Sequence, residues 1–255
     1  MLLAEDNPLN QRVAKLMLTQ MGCEVSVAEN GEQALAQVQA QPFDLVLMDC
    51  QMPVMDGFQA TRAIRSLPGA FAAIPIVALT ANAFQEDRDA CLAAGMNDFA
   101  TKPVSFESLS QIVLRWFKAP PSAVGDDSAA MPAAASKPVT LALPSVAQAL
   151  AELEAQLGRE VLPDVIALAL GMTRELEPQL QPLLQAQDGD ALARVAHKLK
   201  GTVAQIGADD AAKALKQLEL SARSGDWATS ASALDQARQA LQQLCSYLAD
   251  SQHQG

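Results

Sequence analysis

Apolar residues in the first half of the chain fall in short unbroken runs, at Leu2–Ala4, Glu24–Ala28, Asp44–Met48, Ile74–Leu79 and Asp98–Ala100. Helically spaced segments over 8–21, 31–40, 57–66, 84–94 and 105–117 lie between them. Such alternation predicts a doubly wound α/β domain, because a parallel sheet needs a crossover helix between successive strands. A strand covered on both faces reads as a continuous apolar run, as LVLM and IPIVAL do. Polar punctuation supports the boundaries. Asn7-Pro8 places a capping residue before a proline at the first helical position. Asn30 with Gln33 fits a capping box, and Ser105 with Glu107 in the first turn opens the fifth helix.

The pattern changes after residue 117. Residues 118–144 hold eight alanines and five prolines without a repeating apolar face, which predicts a flexible linker reaching about 30 Å. Residues 145–255 show helical spacing alone, over 145–157, 160–186, 190–206, 208–223 and 226–250, with Gly158, Gly189, Gly207 and Gly225 at the breaks. An up-and-down helical bundle is expected there. The domains are therefore 1–117, a linker 118–144, and 145–255.

Charge narrows the function classes. The net charge of −11 divides into −6 over 1–117, zero over 118–144 and −5 over 145–255. Neither domain offers a basic stripe, so nucleic acid is not an expected partner, and no helix-turn-helix output pattern appears. Cys23, Cys50, Cys91 and Cys245 lack CxxC spacing and only His197 and His253 could join them, which disfavours zinc and suggests reduced core cysteines. The longest apolar stretch, near 69–84, is broken by Pro75, Thr80 and Asn82 and is too short to span a bilayer. No membrane contact by this chain and a cytoplasmic location are expected, on its own or as the cytoplasmic tail of a membrane-anchored sensor.

Five polar residues fall at the carboxyl ends of the predicted strands: Glu5 and Asp6 after the first, Asp49 after the third, Thr80 after the fourth and Lys102 after the fifth. A strand order 2-1-3-4-5 would bring them into one crevice at the switch point of the sheet. Three carboxylates there repel one another unless a cation joins them, and oxygen ligands suit Mg²⁺. Lys102 and the Thr80 hydroxyl could take phosphoryl oxygens, and Asp49 could be the nucleophile. Two other enzymes on this fold fit less well. A flavin site needs a Ser/Thr/Gly-rich loop where the acidic EDNPLNQ stands, and an aspartate-dependent phosphatase needs an acid at Gln51. A docking module without chemistry would not need the full set.

The strings AEDNPLNQ, LVLMDCQMPVMDGFQATR, IVALTANA and AGMNDFATKP make residues 1–117 resemble a response-regulator receiver domain of the flavodoxin-like, five-stranded kind, particularly as found in hybrid sensor kinases. The resemblance implies that Asp49 is phosphorylated and that Glu5 and Asp6 form the acid pair. It implies metal binding by Asp6, Asp49 and the main-chain carbonyl of Gln51. Thr80 and Lys102 would hold the phosphoryl group, Thr80 and Phe99 would act as the switch, and the Lys102–Pro103 bond would be cis. Met1 stands at or inside the first strand, as expected of a piece of a longer protein.

In the second domain Leu192, Val195, Leu199, Val203 and Ile206 share one helical face, with His197 roughly opposite. This predicts an exposed ring among Ala193, Arg194, Lys200 and Gly201. Small neighbours admit another active site, and two cations favour a phosphoryl group. Gly201 costs about 1 kcal/mol of helix propensity relative to alanine. The string AHKLKGTVAQIGA, followed by ARSGDW, resembles the H-x-x-K-G signature of histidine-phosphotransfer (HPt) domains, four-helix bundles. That resemblance implies phosphorylation at His197 with Lys200 and Gly201 as helpers, and with Arg194 and Gln205 as weaker contacts. A Gly-rich nucleotide lid and an acidic adenine-binding motif are absent, so the expected protein is a phosphotransfer carrier with Mg-dependent self-phosphorylation. Its expected partners are an upstream histidine kinase and a downstream response-regulator receiver, with no small-molecule substrate beyond phosphodonors.

Overall fold

The computed structural model describes residues 1–80, 85–118 and 144–253. Five strands, β1 (Leu2–Ala4), β2 (Ser26–Ala28), β3 (Val46–Asp49), β4 (Ile76–Thr80) and β5 (Asp98–Thr101), form one parallel sheet in the order β2-β1-β3-β4-β5. The helices between them are α1 (Pro8–Gln20), α2 (Gly31–Ala40), α3 (Gly57–Arg65) and α4 (Gln85–Ala93), and α5 (Phe106–Lys118) follows β5.

The continuous apolar runs divide by parity, since successive strand side chains point to opposite faces. Leu3, Leu47, Val77 and Leu79 join one core with Leu9 and Val13 of α1 and Leu109 of α5. Leu2, Ala4, Val46, Met48, Ile76 and Ala78 join the other with Ala34 of α2, Ile64 of α3 and Cys91 of α4. Both faces are covered, which is why no strand alternates with polar residues.

The caps mostly follow the sequence. The Asn7 side chain accepts from the N–H groups of Leu9 and Asn10, with Pro8 at the first helical position. Asn30 accepts from Gln33 N–H, but the Gln33 side chain accepts from Glu29 rather than from Asn30. The reciprocal capping box lies one crossover later, between Asp56 and Gln59. Ser105 accepts from Ser108 N–H at the start of α5.

The second half is α6 (Pro144–Leu157), α7 (Leu162–Gln185), α8 (Gly189–Gln205), α9 (Asp209–Ser224) and α10 (Trp227–His253). Helices α7 to α10 pack as a four-helix bundle, while α6 lies outside it against α7 and α1. Leu192, Leu199, Val203 and Ile206 face its core and Val195 is partly buried, as the spacing predicts. Gly225 ends α9 with φ +73°, a left-handed cap that favours glycine. Most of the expected linker, residues 119–143, lies outside the described residues. The two halves are in contact: α1 packs against α6, α7 and α8, and one apolar core runs from the α1 side of the sheet into the bundle. Among the described residues no helix is long and apolar enough to cross a membrane.

Candidate functional site

The strand order brings the predicted strand-end residues together. Oxygens of Glu5, Asp6 and Asp49 lie within 4.8 Å of one another, with Glu5 and Asp49 buried and Asp6 half-buried. Glu5 is held in place by the Asn10 amide, which donates to Oε1 at 3.0 Å. The Asp49 Oδ1 atom accepts the Gln51 N–H at 3.1 Å. Gln51 itself is exposed, two residues beyond the strand.

Lys102 neutralises two of the acids, its Nζ lying 2.5 Å from Glu5 Oε2 and 2.6 Å from Asp49 Oδ2. Its own N–H donates to the Thr80 carbonyl at 2.7 Å, and the Lys102–Pro103 bond is cis. Burial alone would lower the Lys102 pKa, but the charges of Asp49 and Glu5 outweigh it and hold the ammonium above its ordinary value. Burial pushes Asp49 up to about 7, against the pull of Lys102 and with the help of Glu5. Burial and the Glu5 charge also raise Asp6, with Lys198, Lys102 and His197 opposing. Thr80 is buried at the end of β4. Phe99 on β5 packs into the second sheet core, with the Arg88 guanidinium 5.5 Å from its ring centroid. That distance is within cation–π range.

The histidine environment departs from the expectation. His197 is not an exposed ring. Its side chain is only 15 % exposed, because α9 packs beside it and supplies Glu219 while the receiver's Asp6, Asn7 and Lys102 face it across a cavity. Glu219 Oε1 lies 2.9 Å from His197 Nδ1, and Lys200 Nζ lies 2.7 Å from Glu219 Oε2 and 3.2 Å from Nδ1. An ammonium and a protonated Nδ1 cannot both donate to each other, so the shorter contacts decide the pattern: Nδ1–H donates to one Glu219 oxygen and Lys200 to the other. This tautomer leaves Nε2 as the ring's lone pair. Burial would raise the Glu219 pKa, but the His197 hydrogen bond, the charge the ring carries once it is protonated in acid, and the ammonium of Lys200 bring it down to about 2. Arg194 is exposed on α8, and Gln205 is buried one turn beyond Gly201. Sequence reasoning missed Glu219. It lies twenty-two residues from His197 across the α8–α9 turn, and nothing in the local pattern separates it from a solvated acid. Its one signal is its place among the apolar residues that face α9 inward.

The two groups share one space. A cavity of about 220 Å³ is lined by Glu5, Asp6, Asn7 and Lys102 from the sheet side and by His197 and Lys200 from the bundle.

Residues 1–114 match the family model of the response regulator receiver domain, and residues 139–247 match that of the Hpt domain. The chain joins a receiver domain to an Hpt domain. Both are phosphotransfer modules, and neither match is to a kinase domain. The sensor histidine kinase GacS of Pseudomonas protegens is 46 % identical over 117 residues, 45 % of this chain and 13 % of that protein. The signal transduction histidine-protein kinase BarA of Escherichia coli is 29 % identical over 221 residues, 87 % of this chain and 24 % of that protein. The chain thus spans a quarter or less of the length of these relatives. Among solved structures, a sensor histidine kinase receiver domain from Pseudomonas aeruginosa, with magnesium in its active site cleft, is 47 % identical with a TM-score of 0.44. That match covers 46 % of this chain and 96 % of that one.

Proposed function

We propose that this receiver–Hpt chain carries phosphoryl groups in a phosphorelay, with Asp49 as the aspartate station and His197 as the histidine station. One observation carries this reading: Lys102, which pairs with Asp49 and Glu5, and His197 and Lys200, which pair with Glu219, line the same cavity from its two sides. An upstream histidine kinase would supply the phosphoryl group and a separate response-regulator receiver would take it, in the cytoplasm. The proposed working divisions are 1–117 for the receiver, 118–144 for the linker and 145–255 for the Hpt domain.

The residues present fit a divalent cation. Three hard oxygen ligands within 4.8 Å, two of them with raised pKa values, are anions in want of a countercharge. Asp6 and Asp49 would hold Mg²⁺ together with the Gln51 main-chain carbonyl, with Glu5 beside them. When bound it supplies charge neutralisation for phosphoryl oxygens. The Asp49 carboxylate would then form an O–P bond as the N–P bond of the donor phosphohistidine breaks and its electron pair returns to the donor imidazole, while Lys102 turns from its carboxylate partners to the phosphoryl oxygens and Thr80 takes another. Thr80 and Phe99 serve as the switch pair. At His197, Glu219 holds the Nδ1 proton and so leaves Nε2 as the attacking atom, and Lys200 keeps Glu219 ionised. Gly201 leaves the approach to α8 open.

The test is labelling with a small-molecule phosphodonor and Mg²⁺, followed by acid and base treatment of the label. Base-labile label should require Asp49. Acid-labile, base-stable label should require both Asp49 and His197. Folded protein that takes no label in the presence of Mg²⁺ would refute the reading.

A further inference from the structure

The contact between the two domains has polar detail that neither domain needs by itself. Asn7, directly after the acid pair, spends its side-chain oxygen on the first turn of α1. Both protons of its amide go to the bundle: Nδ2 donates to the Lys198 carbonyl at 2.9 Å and to Thr202 Oγ1 at 2.9 Å. An amide has only these two protons, so the group is fully satisfied, and only while the domains are in contact. Thr202 is fully buried and Asn7 nearly so. At Gly201 an added Cβ would stand 3.3 Å from Asn10 Nδ2 and 3.4 Å from Asn7 Nδ2, so this bare position on α8 is where the receiver's amides lie. One turn further along α1, Arg12 pairs with Asp164 of α7 at 3.6 Å. The same face of α8 carries His197 into the cavity above Lys102 and Asp6.

We propose that this face of α8 is a receiver-docking surface occupied by the chain's own receiver and latched by Asn7. His197 is then served by the Asp49 of its own chain, and it is shielded from every other receiver until the latch opens. The inference rests on the phosphorelay reading of the two sites. In the latched state the Nε2 lone pair of His197 forms the N–P bond as the P–O bond to Asp49 breaks. The electron pair returns to the Asp49 carboxylate, and Glu219 meets the positive charge the ring gains. Outward transfer needs the same face of α8, so the resident receiver and an incoming one compete for it. Tethering gives the resident receiver the advantage of a high effective concentration.

Full-length chains in complementary pairs test this. A donor chain with His197→Gln can load Asp49 but cannot accept internally, and an acceptor chain with Asp49→Asn offers only His197. The unmodified chain should label His197 at a rate independent of protein concentration, whereas the pair should do so slowly and in proportion to concentration. Asn7→Ser keeps a capping hydroxyl but cannot reach α8. Placed in the acceptor, it should release the resident receiver and speed labelling between chains by about tenfold. An acceptor with Asn7→Ser that is no faster than its parent overturns the latch, as does a concentration-dependent rate in the unmodified chain. If the unmodified chain never labels His197, the phosphorelay reading itself fails, a result distinct from either.

Discussion

At the scale of single residues the informative one is Glu219. It is an acid almost without exposure, between a histidine and a lysine, and its pKa is about 2 against an ordinary 4.5. A carboxyl whose pKa is depressed in the fold gives stability that is present above about 4.5 and is lost as pH falls from there toward 2. The amount is about 3 kcal/mol for a shift of this size. Denaturant melts of the native chain should therefore weaken steeply between pH 4.5 and 3, and Glu219→Gln should flatten that part of the profile. A Glu219→Gln chain with an unchanged acid limb would show that the ion pair is weak in solution. The same substitution should slow His197 labelling without touching the Asp49 label, because the glutamine can hold the ring but cannot meet its positive charge. The positions of Asp49, Thr80 and Lys102 were legible from the chain since each ends or directly follows a strand, a place that order alone determines. His197 was found but its exposure was misjudged, because helix geometry fixes a direction and not what another helix brings there.

At the scale of elements, the parallel strands were visible as unbroken apolar runs, and the structure shifts their ends by no more than two residues. Terminal residues such as Glu24 and Asp44 carry polar side chains outside the ladder. What the chain did not reveal is how closely the β3–α3 turn is wound under the Asp49 carboxylate. Gly57 opens α3 so near β3 that an added Cβ would fall 2.1 Å from the Asp49 carbonyl oxygen. Backbone cannot yield as a flexible side chain does, so Gly57→Ala must push the turn away from the strand. The expected cost is about 2 kcal/mol, the ordinary range for overpacking. Asp49 labelling should drop while His197, in an otherwise native bundle, takes phosphate from a separate loaded receiver only as slowly as it does in the native chain. Wild-type stability in Gly57→Ala would mean that the turn has room this geometry does not show. Nearby Val54 already sits at φ +69° and is exposed, so the loop carries backbone strain beside the site.

At the scale of the molecule, the sequence reads as two domains and a linker, but the structure gives them a common core. The pattern could not show this, because α1 displays the same apolar face whether it meets only its own sheet or a bundle as well. Leu9 and Val13 of α1, Leu150 of α6 and Val165 of α7 belong to one apolar cluster. Coupling through it has a measurable consequence. A cation bound only by the folded receiver stabilises it by about 2.7 kcal/mol at a hundredfold excess over its dissociation constant. With the halves coupled, that free energy is felt by the bundle as well. With Trp227 of α10 replaced by phenylalanine, Trp116 of α5 alone reports the receiver, and the far-ultraviolet helical signal is dominated by α6 to α10. The two signals should melt together, and Mg²⁺ should raise both midpoints by several degrees. Thr202→Val keeps the shape of a buried side chain but removes the acceptor for Asn7, leaving a donor unpaired at the junction. In that chain the tryptophan signal should still respond to Mg²⁺ while the helical signal responds less, so that the two curves separate. Coincident curves in Thr202→Val would place the coupling in the apolar core and not in the Asn7 contact. Separate curves in the native chain would mean that the shared core is too small to bind the halves into one cooperative unit.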